Sequence, residues 1–236
     1  ACKNEHIKGL YVIPDFHTPT THTMSLETRK MIAEVARQKG LIVIEDAIYS
    51  FLKEQPLAPI AFYAPEKVVY IASVSKTISP GLRLSFIVTP SALRKKIIET
   101  LYNINISVSP VMVELTARLI QDGVAQTILE KHRLYAKQQN ALVNQYLGEY
   151  NILGDAECMF RWLLLPKKFT GVQFELLASK AGVQVYAAER FAVGNAKPVN
   201  AVRLAITAPE NSTQLEQALT VLKELLESDG DYAFVD

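Results

Sequence analysis

The stretch SVSKTISPGLR (73–83) sets Lys76 between Ser75 and Thr77 and puts Arg83 at the mouth of the strand that follows. A guanidinium is a planar fork suited to bidentate binding of a phosphate, and Ser73 and Ser75 add hydroxyl donors. A lysine beside that cation, and partly desolvated, is suited to attack a carbonyl as the free amine. Upstream, LIVIED (41–46) ends on Asp46, and Tyr49 lies in the loop beyond it. A carboxylate buried at a strand end needs a cationic partner, and a protonated ring nitrogen supplies one. Together these side chains point to an aromatic aldehyde that carries a phosphate and a basic ring nitrogen.

The elements that must position them alternate between strand and helix. GLYVIPD (9–15) is a short apolar run stopped by proline. Ser25 caps a predicted helix through Lys39, with Ile32, Val35 and Ala36 on its core face and Gly40 as its stop. LIVIED reads as a strand buried on both faces of a parallel sheet. VVYIAS (68–73) and LRLSFIVT (82–89) follow as strands, so Asp46, Tyr49, Ser73, Ser75 and Lys76 collect at strand ends. In open α/β sheets that is where ligands bind. From Ser91 to about Leu147 the pattern is mostly helical, broken near Ser107–Pro110 and Gly123. MFRWLLLP (159–166), a helix over 172–181, VQVY (183–186), VRLAIT (202–207) and a helix over 213–228 make a second α/β unit. Leu215, Ala218, Leu219 and Leu222 carry the helical spacing of a core-facing stripe. The tail ESDGDYAFVD reads as frayed.

Composition narrows the function class. The chain has 236 residues, enough for one large domain or two small ones, and 25 Lys and Arg against 24 Asp and Glu leave no field that would recruit nucleic acid or anionic membrane. Cys2 and Cys158 have neither the number nor the spacing of a disulfide framework or zinc site, and are read as structural thiols in a reducing compartment. No apolar run approaches the ~20 residues of a membrane span, so the expected location is the cytoplasm. No metal is expected.

Four segments in order resemble a known family. YVIPDFHTPTTHTMSLETR (11–29), IEDAIYS (44–50), SVSKTISPGLRLSFI (73–87) and VRLAIT (202–207) are similar to motifs of the fold-type I, aspartate-aminotransferase-like class of pyridoxal 5'-phosphate proteins. Within it they are closest to the aminotransferase-like domain of MocR-type regulators in the GntR superfamily. The resemblance implies a mostly parallel α/β sheet with helices on both faces, the carboxyl-terminal part of the large domain over 1–125, and a connecting helix plus small α/β domain over 126–236. It also implies roles. Lys76 forms the Schiff base and shuttles a proton, Asp46 pairs with the pyridine nitrogen, and Tyr49 donates to the ring hydroxyl oxygen. Ser73, Ser75 and Arg83 hold the phosphate, and Arg203 clamps the α-carboxylate of an amino acid.

Two positions depart from the family pattern. Thr18 stands where asparagine usually contacts the ring, and Thr21 where glycine is usual. The resemblance further implies a cis Thr18–Pro19 bond. The family's glycine-rich phosphate turn, its ring-stacking aromatic residue and several strands have no counterpart before Gly9, so the chain is expected to be part of a longer protein. A winged-helix DNA-binding domain and a second subunit completing the site would then lie outside it, and the chain alone should hold the cofactor weakly. Three functions fit: an aminotransferase moving an amino group from an amino acid to a 2-oxo acid, a sensor using the same pocket within a transcription regulator, or a β-lyase. His6, His17, His22 and His132 belong to no constellation, and Trp162 is read as core.

Overall fold

A computed structural model describes residues 6–228. Cys2 and the tail from Gly230 on, both read above from sequence, lie outside the described residues, as do residues 1–5 and Asp229. The chain divides into two compact units. One runs to Phe16 and resumes over His22–His132; the other joins His17–Thr21 to the chain from Arg133 on.

The first unit is built on a four-stranded sheet of Gly9–Val12 (β1), Ile42–Asp46 (β2), Val68–Ser73 (β3) and Ser85–Val88 (β4). They lie in the order β1-β2-β3-β4, the first three parallel and β4 antiparallel to β3. The helix Leu26–Lys39 (α1) connects β1 to β2 and begins and ends where the sequence says. Ser25 accepts the Thr28 N–H, Glu27 sits at the positive end of the helix dipole, and Arg37 and Lys39 at the negative end. Gly40 takes φ 66° at the C-terminus, a left-handed conformation that glycine adopts without a Cβ penalty.

Two readings of this unit are corrected. The buried face of α1 is Arg29, Ala33 and Ala36, whereas Val35 is exposed. β2 is not buried on both faces: Val43 and Glu45 are covered, but Ile44 is 39% exposed. The cause is one-sided packing. Val12, Val43 and Val68 pack with Ala33 and Ala36 of α1 and with Ile60 and Ala64 at the short helix Ile60–Tyr63 (α2), while Tyr11 and Ile44 on the alternate face stay open. An all-apolar run gave no alternation from which to read this.

Polar groups below the sheet hold the loops that carry the site. Arg29 and Asp15, both buried, pair at 2.6 Å, and the second Asp15 oxygen accepts the Ser50 hydroxyl at 2.6 Å. Glu45 accepts the N–H groups of Ile60 and Ala61 at 2.9 and 2.8 Å. Burial nevertheless raises its carboxyl above the ordinary range. The helices Ser91–Asn105 (α3), Pro110–Gln121 (α4) and Val124–Leu147 (α5) follow, with breaks where the sequence places them. The division between the units falls within α5.

The second unit has an antiparallel sheet of Ile152–Leu153 (β5), Arg161–Leu164 (β6), Tyr186–Ala187 (β7) and Ala201–Leu204 (β8), in the order β5-β6-β8-β7. Gly171–Lys180 (α6) and Ser212–Glu227 (α7) accompany it. Of the expected stripe, Leu215, Leu219 and Leu222 are buried and Ala218 is half-buried; Leu225 and Leu226 join them against Val143, Leu163, Phe174 and Val202. Each such leucine contributes about 1.5–3 kcal/mol of burial. Trp162 is buried against Ala188 and Ala201, as read.

Candidate cofactor site

Asp46 is the last residue of β2, and Lys76 lies just past Ser73, the last residue of β3. These strands are parallel neighbours, with Asp46 opposite Ile71 and the Ala47 N–H bonded to the Ile71 carbonyl at 2.8 Å. The acid and the lysine therefore belong to the same carboxyl edge of one sheet. Tyr49 follows in the loop after β2 and is buried. That loop is fixed from below by the contact between Ser50 and the Asp15–Arg29 pair.

The segment from Ser73 to Ser85 is held by its own polar and apolar contacts. Ser73 is buried; its hydroxyl donates to the Leu84 carbonyl at 3.2 Å and accepts the Ser75 N–H at 3.2 Å. The one proton expected to serve a phosphate is thus given to the backbone, and Ser73 braces the loop. Thr77 donates to the Ser73 carbonyl at 3.4 Å, and the Ser79 side chain accepts the Gly81 N–H at 3.3 Å. Val74, Leu82 and Leu84 anchor the segment against Ile78, Met112 and Leu119. Arg83 takes φ 50°, which turns the chain into β4. Lys76 and Arg83 are exposed and have no ion-pair partner among the described residues. Lys76 is exposed among the described residues, where partial desolvation is expected.

Asp46 has a partner that the sequence reading missed. The Tyr11 hydroxyl donates to Asp46 Oδ2, and the Ile48 N–H donates to Oδ1 at 3.3 Å. Asp46 is half-buried rather than buried, and a phenol donates to one of its two oxygens. Burial, the hydrogen bond to Asp46 and the charge on that carboxylate push the Tyr11 phenol up to about 12. Tyr11 is opposite Ile44 in the register, two residues before Asp46. The strand period of two brings both side chains to one face, a placement the sequence could give only once the register was known.

In the second unit the Thr18–Pro19 bond is cis, as the resemblance implies. Thr18 Oγ1 is buried without a hydrogen-bond partner among the described residues. Thr21 adopts φ 64°, the left-handed region that explains why the family prefers glycine there. Arg203 lies in β8 with its guanidinium 4.3 Å from the centre of the Phe160 ring, and its Nε is buried and unpartnered. A buried unsatisfied polar atom costs about 1–3 kcal/mol. Thr18 and Arg203 are therefore atoms that a polar ligand would satisfy, while Lys76 and Arg83 are cations that an anion would neutralise. Taken unit by unit, Asp46, Lys76 and Arg83 of the first have the chemistry to hold a phosphorylated aldehyde, and Arg203 of the second has that of a carboxylate ligand. Cys158 is buried, and burial pushes its thiol up to about 12, which leaves it chemically inert. Among the described residues, no group of His, Cys, Asp or Glu could hold a metal ion, and no helix is long and apolar enough to cross a membrane.

Comparison with known proteins supplies the family. The model for aminotransferase class I and II matches residues 3–222. The chain belongs to this aminotransferase family. Members are pyridoxal-phosphate-dependent. Among relatives, the chain is 50% identical over 227 residues to the uncharacterized HTH-type transcriptional regulator YdeF of Bacillus subtilis, covering 96% of this chain and 49% of YdeF. It is 27% identical over 175 residues to 2-aminoadipate transaminase of Thermus thermophilus, covering 70% of this chain and 44% of that protein. The chain thus spans about half the length of the curated relatives it matches. The aminotransferase fold recurs in an archaeal alanine:glyoxylate aminotransferase, with TM-score 0.85 and 22% identity over 95% of this chain and 57% of that one. It recurs also in the α-aminoadipate aminotransferase LysN of Thermus thermophilus, with TM-score 0.84 and 24% identity over 95% and 60%.

Proposed function

We propose that this aminotransferase-family chain is the effector part of a transcriptional regulator of the MocR/GntR kind, binding pyridoxal phosphate through Lys76 and reading an amino acid. The observation that carries it is the carboxyl edge of β2 and β3, where Asp46 ends one of two neighbouring parallel strands, Lys76 follows the other, and Lys76 and Arg83 have no acid partner among the described residues. The likeness to YdeF and to further HTH-type regulators of Bacillus subtilis supports the regulator branch. When bound, the cofactor supplies an electron sink for bonds at the amino acid's α-carbon. Lys76 Nζ would be the nucleophile that holds the aldehyde and, as the free amine, the base for the α-proton. Asp46 holds the proton of the ring nitrogen, and Tyr49 donates its phenol proton to the ring oxygen. Arg83 and Ser75 bind the phosphate, with Ser73 ordering the backbone beneath them. Arg203 takes the amino-acid carboxylate, and Thr18 supplies one hydrogen bond to the ring.

On this reading residues 1–125 form part of the large cofactor domain, and 126–236 the connecting helix and small domain. The intact protein is a cytoplasmic homodimer, with DNA contacted by a winged helix outside this chain. The second reading is a free-standing aminotransferase, which the likeness to 2-aminoadipate transaminase supports. The test uses the full-length protein with pyridoxal phosphate, borohydride and peptide mass mapping. Attachment is expected at Lys76 and is lost in Lys76→Ala; attachment elsewhere, or none, overturns the proposal. Adding amino acids separates the readings, since a cofactor absorbance that shifts and persists marks a sensor, and one that converts to the amine form marks a transaminase.

A further inference from the structure

We propose that Tyr11 is a positioning residue for Asp46: its phenol holds the carboxylate in the orientation that meets the cofactor's ring nitrogen. The inference rests on the cofactor reading above but on different atoms. The Tyr11 hydroxyl donates to Oδ2 and the Ile48 N–H donates to Oδ1, so each carboxylate oxygen has one donor and the group cannot turn about its Cβ–Cγ bond without losing one of them. Each oxygen retains a further lone pair, and that capacity serves a protonated ring nitrogen.

The supports of the two donors differ in kind. Ile48 is tied to Asp46 through the chain, whereas Tyr11 comes from a separate strand, and β1 and β2 are in register from Gly9↔Ile42 to Val12↔Glu45. Tyr11 thereby fixes a side chain 35 residues away to the frame of the sheet. The phenol is held in its donor form, since burial and the Asp46 carboxylate keep it protonated through the whole neutral range.

The experiment compares full-length wild type, Tyr11→Phe, Asp46→Asn and the double variant. Each is titrated with pyridoxal phosphate and with its 1-deaza analogue, in which C–H replaces the ring nitrogen. Tyr11→Phe is expected to weaken pyridoxal phosphate between about twofold and tenfold, the range of one net hydrogen bond. It should leave the analogue unchanged and add nothing to Asp46→Asn, because Tyr11 acts only through that carboxylate. Equal weakening of both cofactor forms would show a structural role, and no weakening of either would show none; both outcomes overturn the proposal. A second arm needs no cofactor. With 13C-labelled tyrosine, the Tyr11 ring resonance should titrate near 12 in wild type and lower in Asp46→Asn, and an unchanged titration overturns the pairing. Wild type that takes up neither cofactor form while keeping this titration would sink the cofactor reading, and this role with it, and leave the pairing standing as an observation.

Discussion

Lys76, Ser73, Ser75 and Arg83 were legible because one loop carries them all, so covalent connectivity fixes their neighbourhood before any tertiary contact forms. Tyr11 was not, since its contact with Asp46 depends on strand register, a property of two segments 35 residues apart. Ser73 shows the opposite limit: its position was legible but the direction of its hydroxyl was not, because the Leu84 carbonyl that takes the proton comes from the far end of the loop. Arg203 keeps a donor that its neighbours among the described residues leave unused. Its Nε is buried and unpartnered, and its fork matches a carboxylate in two parallel bonds, a geometry that an ammonium cannot copy. Arg203→Lys in the full-length protein should therefore weaken the amino-acid response of the cofactor absorbance by about tenfold, the worth of roughly one lost charged hydrogen bond. Attachment at Lys76 should be unaltered. An unchanged amino-acid titration would remove Arg203 from the ligand.

At the scale of elements, α1 is the clearest success, because its two ends are set by local chemistry in Ser25 and Gly40. Gly40 has open space around its missing Cβ, so Gly40→Ala meets only backbone strain at φ 66°. That substitution should cost about 1 kcal/mol, read as a lower urea midpoint at constant slope. The helix interior was harder to read. An arginine in an amphipathic pattern looks solvent-facing, yet Arg29 is buried and donates to Asp15 as well as to the carbonyls of Met24, Leu57 and Pro14. The sequence could not show this, because the acid that compensates Arg29 lies on another segment. Arg29→Ala leaves Asp15 buried with Ser50 as its one side-chain donor among the described residues and should cost about 3–5 kcal/mol. Urea unfolding of Arg29→Ala beside Asp15→Asn/Arg29→Met tests the cause. The double variant should recover part of the loss, and equal losses would show that packing rather than charge is at stake.

At the scale of the molecule, the apolar surface tells most. α3 buries none of its residues among those described, and Ile98, Tyr102 and Ile104 are 56%, 62% and 70% exposed. Val111 of α4 is 68% exposed, Val88 of β4 65%, and Tyr11 and Ile44 open the uncovered face of the sheet. Contiguous apolar area beyond a few hundred Å² is rare on soluble monomers and marks a surface that something covers. Of the apolar residues of helix α3, Leu93 and Ile97 are half-buried, and an isolated helix of its 15 residues is marginal in water. The chain spans about half the length of the curated relatives it matches, so their other half has no counterpart here. The 236-residue chain expressed by itself should accordingly bind 8-anilinonaphthalene-1-sulfonate and elute as an assembly larger than 26.3 kDa. Ile98→Glu with Ile104→Glu should reduce both signals, because charges on exposed positions disfavour apolar association without disturbing a core. A dye-silent monomer at micromolar concentration would show that the isolated chain satisfies its own apolar surface, and α3 would then need another source of stability.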